Sequence, residues 1–193
     1  MLLNMNRLDE AHAHAELAIA SAPSQAHQAL ALIEVARKHE AEALREADLA
    51  AKAEPGLPMP AFIRGTIAYN NGQYDRALAS LLEARQGYAQ RSTQARDLHF
   101  MIGDSLARLE RYQEAEPYLK EEIRLYPSHV RARAGLAMLY QAMGKTAEAE
   151  STLDNLVRDV PSRDASDTAA RVWRLFGRPD KAVAVGATSR GRR

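Results

Sequence analysis

The sequence predicts an all-α fold, a right-handed α-solenoid of about eleven helices stacked as antiparallel pairs. One observation is a period: between residues 96 and 161 the chain aligns with itself, without a gap, at an offset of thirty-four residues. A fixed period of this length is typical of arrays of helical hairpins, in which each unit buries its apolar face only against its neighbours. The other observation is that residues of matching size recur at that offset: Gly103 with Ala137, Ala115 with Ala149, and Pro127 with Pro161.

Composition and charge exclude several classes of protein. Hydrophobic residues make up 46% of the 193 residues and charged residues 26%, the ordinary mixture of a globular chain. A net charge of +1 provides no large basic field, so nucleic acid is not an expected partner. The absence of cysteine excludes disulfides, thiolate metal sites and a cysteine nucleophile. Neither a secretory signal nor a membrane-spanning stretch is recognised, so the sequence predicts a cytoplasmic protein that does not insert into a membrane.

The N-terminal segment resembles the second half of a later unit. Ala11, Ala15 and Pro23 fall where Ala115, Leu119 and Pro127 fall further along. We therefore predict one helix here, a partial repeat with an exposed apolar edge. Either the array continues in a longer chain, or this helix serves as a natural cap.

The next stretch predicts two helix pairs separated by a proline-rich turn. Alanine and leucine recur at three and four residue steps from Gln25, with a turn near Lys38 and His39. The string PGLPMP then predicts a stiff turn with Pro58 near a helix start, the alternative being a hinge. In the following pair the spacing exceeds the period by four residues, about one helical turn, so we expect the helix from Tyr74 to continue through Gln90.

Two regular units and a capping unit complete the array. Small side chains at Gly103 and Ala115 predict close backbone approach, because larger ones would overpack at a cost of about 1 to 3 kcal/mol. In the last unit we expect an apolar stripe of Val172, Leu175 and Phe176, and Trp173 as a packing residue. The predicted boundaries are a partial repeat at 1–23, repeats at about 24–57, 58–95, 96–129 and 130–163, a capping partial repeat at 164–186, and a disordered basic tail at 187–193.

The order of residue types resembles the tetratricopeptide repeat (TPR). The string AFIRGTIAYNNGQYDRALASLLEA places Gly65, Gly72, Tyr74, Ala77 and Leu81 at the steps of one TPR unit. This resemblance implies a non-catalytic scaffold or adaptor that binds a protein or peptide in a concave groove. The string EEIRLYPSHVRARAGLAMLYQAMGKTAEAE is also similar to repeat segments appended to larger bacterial hydrolases, which implies a detached regulatory or targeting module.

The resemblance also implies which residues meet a ligand, because in TPR proteins the first helix of each pair lines the groove. The corresponding residues here are Met59, Phe62, Thr66, Tyr69, Asn70, Asp97, Phe100, Asp104, Arg108, Arg131, Met138 and Gln141. Phe62 and Phe100 stand where chaperone-binding members carry lysine, so binding of a chaperone tail is not expected. We expect a peptide with apolar anchors and some charge, the sign of which stays open. The alternatives are that these residues only contact neighbouring repeats, or that the chain stacks on itself, or on a larger protein, through its terminal helices.

The sequence contains only weak matches to patterns of metal-binding or catalytic residues. His12 and Glu16 lie four apart, as two metal ligands on one helix face would, but no further ligand accompanies them. Ser105 lies in a GDSL string, yet its repeat position predicts a buried helical residue rather than a strained nucleophile turn. We therefore predict no metal, no cofactor and no catalytic residue, and interpret the chain as not an enzyme.

Overall fold

A computed structural model describes residues 7–190 as an all-α protein. In that range there are eleven helices and no strand, as the sequence predicts, and no described helix is long and apolar enough to cross a membrane. The opening MLLNMN and residues 191–193 of the predicted tail lie outside the described residues. The helices are α1 (Leu8–Ala18), α2 (Pro23–Arg37), α3 (Glu40–Ala53), α4 (Met59–Asn70), α5 (Tyr74–Gln90), α6 (Leu98–Arg108), α7 (Tyr112–Leu125), α8 (Val130–Ala142), α9 (Thr146–Asp159), α10 (Arg163–Leu175) and α11 (Pro179–Arg190).

The helices are distributed over two compact units that divide within α6. Unit 1 extends to Met101 and unit 2 begins at Ile102. In unit 1, α2 packs on α3 and α4 packs on α5. In unit 2, α8 packs on both α7 and α9, and α10 packs on α11. The pairs α2–α3, α4–α5, α8–α9 and α10–α11 therefore each pack within one unit, whereas α6 spans the division.

Small residues allow the helices of a pair to approach closely. A Cβ atom added at Gly65 would lie 2.7 Å from Leu81 Cγ, and one added at Gly103 would lie 2.8 Å from Leu119 Cγ. Ala115 and Ala149 are completely buried. The mechanical interpretation of these small residues is therefore confirmed in both units.

The long helix and the turns also match the sequence. Helix α5 ends at Gln90, so the extra helical turn lies where the longer spacing predicts it. Lys38 ends α2 with a φ of 65°, and Gly72 follows α4 with a φ of 71°. Glycine reaches this left-handed conformation without a steric cost, whereas the Lys38 backbone bears one.

The last two helices differ from the prediction in two respects, the exposure of Leu175 and the end of α11. Trp173 is fully buried and meets the Phe176 ring edge-on at 6.1 Å between centroids, which agrees with its expected packing role. Leu175, however, is 73% exposed, so its assignment to the buried stripe is wrong. At 100° per residue, Leu175 lies just beyond the edge of the buried arc and on the side that carries Arg171. Helix α11 continues to Arg190, so residues 187–190 are helical where the sequence predicts the start of a disordered tail.

Candidate functional site

The apolar ligand residues predicted in unit 1 lie in the interior. Met59, Phe62 and Phe100 are all buried. The ring of Phe62 meets Tyr88 edge-on at 6.0 Å between centroids, and that of Phe100 meets Tyr69 at 6.3 Å. Large rings in such edge-to-face contacts stabilise a core. Met59, Phe62 and Phe100 were expected to meet a ligand, but their side chains are buried and pack within the fold.

The other predicted residues of unit 1 are more accessible. Asn70 is exposed, while Thr66, Tyr69 and Asp97 are half-buried. The Thr66 hydroxyl donates to the Phe62 carbonyl oxygen at 2.8 Å, an internal bond of the helix. Unit 1 therefore offers a ligand mainly polar groups at these positions.

The predicted residues of unit 2 are largely on the surface. Arg108 and Arg131 are exposed, and Met138, at 44% exposure, is among the few large apolar side chains that face solvent. Asp104 and Gln141 are half-buried. An ion pair of 3.5 Å joins Asp104 Oδ2 to Arg108 Nε. Unit 2 thus presents an accessible apolar side chain together with arginines.

Other charged groups of unit 2 are occupied by contacts within the fold. Glu116 accepts hydrogen bonds from Lys120 at 2.6 Å, from the Tyr140 hydroxyl at 3.1 Å and from Lys145 at 3.3 Å. The bond from Lys120 is the main cause that holds the pKa of the Glu116 carboxyl below its ordinary value. These contacts join the helix that carries Glu116 to the next pair.

The same arrangement recurs thirty-four residues later. Glu150 accepts from Arg178 at 2.6 Å and from Lys181 at 2.9 Å, and the Lys181 bond is the main cause that lowers the pKa of Glu150. Lys181 Nζ also lies 4.2 Å from the centre of the Trp173 ring. Arg178 and Lys181 therefore tie successive helix pairs together and are already neutralised by a carboxylate.

A buried histidine and carboxylate pair lies at the start of α8. His129 caps this helix: its Nδ1 accepts from the Ala132 backbone N–H at 3.1 Å, which leaves the proton on Nε2 when the ring is neutral. That nitrogen lies 3.4 Å from Glu122 Oε1, and both side chains are buried. This pair was not predicted from the sequence, because only the position of His129 just before a helix start hints at a capping role.

His12 and Ser105, the candidates for metal binding and catalysis, lie among residues that hold the fold together. His12 lies 3.5 Å from Glu16 and 3.4 Å from Glu34, which is buried and also accepts from Arg37 and His39. Burial raises the pKa of Glu34 and the hydrogen bonds from His39 and Arg37 lower it, with a net lowering. These contacts join α1 to α2. Ser105 is completely buried within α6, in agreement with its interpretation as a helical core residue.

Comparison with known families identifies the class of protein. Two family models described as tetratricopeptide repeat match residues 62–130 and 106–175, which together span more than half of the chain. The chain belongs to the tetratricopeptide repeat family. Proteins of this family are generally non-catalytic interaction modules.

Solved structures show the same fold at low sequence identity. YrrB, described as a TPR protein with an unusual peptide-binding site, is 21% identical, with 89% of this chain and 88% of that chain covered and a TM-score of 0.59. TTC0263, a thermophilic TPR protein of Thermus thermophilus, is 22% identical, with 87% and 91% covered and a TM-score of 0.67. Pseudomonas aeruginosa pilF is 20% identical, with 95% and 83% covered and a TM-score of 0.65.

A search of curated proteins found no match. The expected likeness to repeat segments of larger hydrolases is not borne out by these matches.

Proposed function

We propose that this protein is a non-catalytic scaffold that binds a peptide or a segment of a partner protein on the exposed side of its first helices. The observation that carries the proposal is the surface of α8, where Met138 is exposed although the opposite side of the helix is buried. A flexible thioether on the surface adapts to partner side chains of different shape. Arg108 and Arg131 are exposed in the same unit and supply charge that can orient a ligand.

The experiment begins by identifying a partner and then maps the contact. The purified chain on beads captures proteins from a lysate of the source cells, and mass spectrometry identifies them. Binding of a purified partner is then measured for the double variant Met138→Ser with Arg131→Ser. We expect the affinity to fall about tenfold or more, because an apolar contact and a charge at the centre of an interface are lost together.

A matched control distinguishes the binding face from general surface charge. Arg124 on α7 and Arg158 on α9 are both exposed and lie on second helices. The variant Arg124→Ser with Arg158→Ser should bind like the wild type. If the control loses as much affinity as the first variant, or if neither loses any, the first helices are not the binding face.

A second candidate function is self-association or stacking on a larger protein through the terminal helices. Leu17 on α1 is 80% exposed and Val183 on α11 is 73% exposed. Concentration-dependent sedimentation tests it: a stacking protein self-associates, and Leu17→Ser with Val183→Ser abolishes the association. Leu8 is unsuitable for this test because it is buried with Ala11 and Ile33.

The cellular location belongs to the same proposal. The sequence predicts a cytoplasmic protein, and fractionation of the source cells followed by immunoblotting checks that prediction. Recovery outside the cytoplasmic fraction would contradict it, without bearing on the binding face.

A further inference from the structure

We propose that helix α10 extends the ligand surface of unit 2, and that Arg171 and Arg174, two exposed arginines in its C-terminal half, select an acidic peptide with an aliphatic side chain. This inference rests on the proposed scaffold function and adds to it the chemistry of the partner. It also assigns a role to residues outside the set that the sequence predicts. Three observations carry it: the register of α10, its exposed residues and its ion pairs.

The residue-by-residue alignment of α10 with α8 follows from the turns that end these two helices. Gly144 follows α8 with a φ of 74°, and Gly177 follows α10 with a φ of 71°. These glycines are thirty-three residues apart, so the period of thirty-four gives a register that is wrong by one residue at α10. Counting back from the turns pairs Met138 with Arg171, Gln141 with Arg174 and Ala142 with Leu175.

The exposure of α10 agrees with this register. Its buried side contains Ala165, Ala169, Val172 and Trp173, which belong to one core cluster of unit 2. Its exposed side contains Arg163, Asp164, Asp167, Arg171, Arg174 and Leu175. Helices α8 and α10 contact each other, and packed helix axes lie about 8 to 10 Å apart. A ligand on the Met138 side of α8 therefore lies within reach of this side of α10.

The ion pairs of α10 determine the expected charge of the ligand. Arg171 donates to the Thr168 hydroxyl at 3.1 Å, and among the residues that the structure describes neither Arg171 nor Arg174 forms an ion pair. By contrast, Asp167 lies 3.5 Å from Arg163. Within the described chain, the C-terminal half of α10 thus carries two guanidinium groups that no carboxylate neutralises. Arginine binds carboxylates through paired hydrogen bonds, so an acidic side chain is the complementary group.

The apolar part of the ligand follows from Leu175 and Met138. Both are large apolar side chains that face solvent, at 73% and 44% exposure. Covering them removes apolar area from water, worth about 25 cal/mol per Å². The exposed carboxylate of Asp164 lies at the other end of α10, about 15 Å away along the axis, which keeps the acidic part of the ligand near the arginines. An aliphatic residue with acidic neighbours matches this surface.

The test is a selection from a peptide library displayed on phage, with every amino acid allowed at each randomised position. Wild-type protein should enrich peptides that contain Asp or Glu beside Leu, Ile or Met. The affinity of a selected peptide, measured by fluorescence anisotropy, should fall as salt is added, because screening weakens exposed ion pairs. A pool enriched in Lys and Arg, or no enriched pool at all, would overturn the inference.

Variants locate the selected peptide. Arg171→Gln with Arg174→Gln should weaken its binding about tenfold or more, and Leu175→Ser should weaken binding without changing the salt dependence. The control Arg124→Gln with Arg158→Gln removes the same charge from second helices and should leave binding unchanged. Arg171 and Arg174 are both exposed, so these variants should keep the circular dichroism spectrum and melting temperature of the wild type. Equal binding by the α10 variant and the wild type would refute the site.

Failure of this inference differs from failure of the scaffold function. If the purified partner still loses affinity with Met138→Ser and Arg131→Ser but not with the α10 variant, the first helices bind the partner and only the role of α10 is wrong. If neither variant affects the partner, both proposals are wrong.

Discussion

The two units use the same kind of helix pair but place their apolar side chains differently. In unit 1, Phe62 and Phe100 occupy predicted ligand positions and are buried, whereas in unit 2 Met138 and Leu175 remain exposed. Ala134, which lies thirty-four residues after Phe100, is buried as well. The repeat position shared by Phe100 and Ala134 therefore faces the core in both units. An aromatic residue at this position indicates core packing. The difference teaches that an apolar residue at a family ligand position marks a binding surface only where it remains exposed.

The largest expected effect is on stability, and it separates the two kinds of position. Phe100→Ala should lower the free energy of unfolding by about 3 to 5 kcal/mol, because a buried ring is removed and a cavity remains. Met138→Ala should change it by only about 0.5 kcal/mol or less, since Met138 faces solvent. Urea denaturation followed by circular dichroism measures both. Equal losses in the two variants would contradict the contrast between buried and exposed ligand positions.

Replacing a small buried residue with a larger one tests a feature that the two units share, the close approach of packed helices. Ala77 in unit 1 and Ala115 in unit 2 are completely buried at equivalent places of their second helices. Replacing either with leucine should cost about 1 to 3 kcal/mol, because no space exists for the larger side chain. Thermal melting measures the loss as a lower Tm. If either variant has the same Tm as the wild type, the helix backbone at that site does not lie close to a neighbouring helix.

The expected effect with the narrowest range of conditions is confined to alkaline pH and to unit 1. Burial raises the pKa of Tyr88 to about 12, whereas an unfolded tyrosine has a pKa of about 10. The folded state therefore retains the proton longer, and this contribution is fully present below about pH 10 and is lost as pH rises towards 12. Between those values wild-type stability should fall about 1.4 kcal/mol per pH unit relative to Tyr88→Phe. Parallel urea titrations of the two proteins should diverge above pH 10, and parallel curves would show that Tyr88 is not shielded from water.

Much of the fold could be predicted because packing constrains it locally. Gly103 and Ala115 must be small, and the extra residues before Gln90 must be accommodated as one turn of helix. Leu175 escaped prediction because its spacing of three residues from Val172 fits one helix face, although it lies just beyond the edge of the buried arc.

The ligand positions were harder to predict because their exposure depends on neighbours in space. Phe62 and Met138 both satisfy the family pattern, but only the structure shows that Tyr88 covers the first and that the second remains open. Two partners of Glu116, Tyr140 and Lys145, were equally hidden, because they come from a different helix pair. Composition alone does not distinguish charged side chains that pair within the fold from charged side chains that are accessible to a ligand.

Photo-crosslinking to the captured partner tests the binding face of unit 2 most directly. A photoreactive amino acid introduced in place of Met138, on the first helix α8, should crosslink to the partner. The same amino acid in place of Arg158, on the second helix α9, should not. Crosslinking from position 158 and not from position 138 would contradict the account.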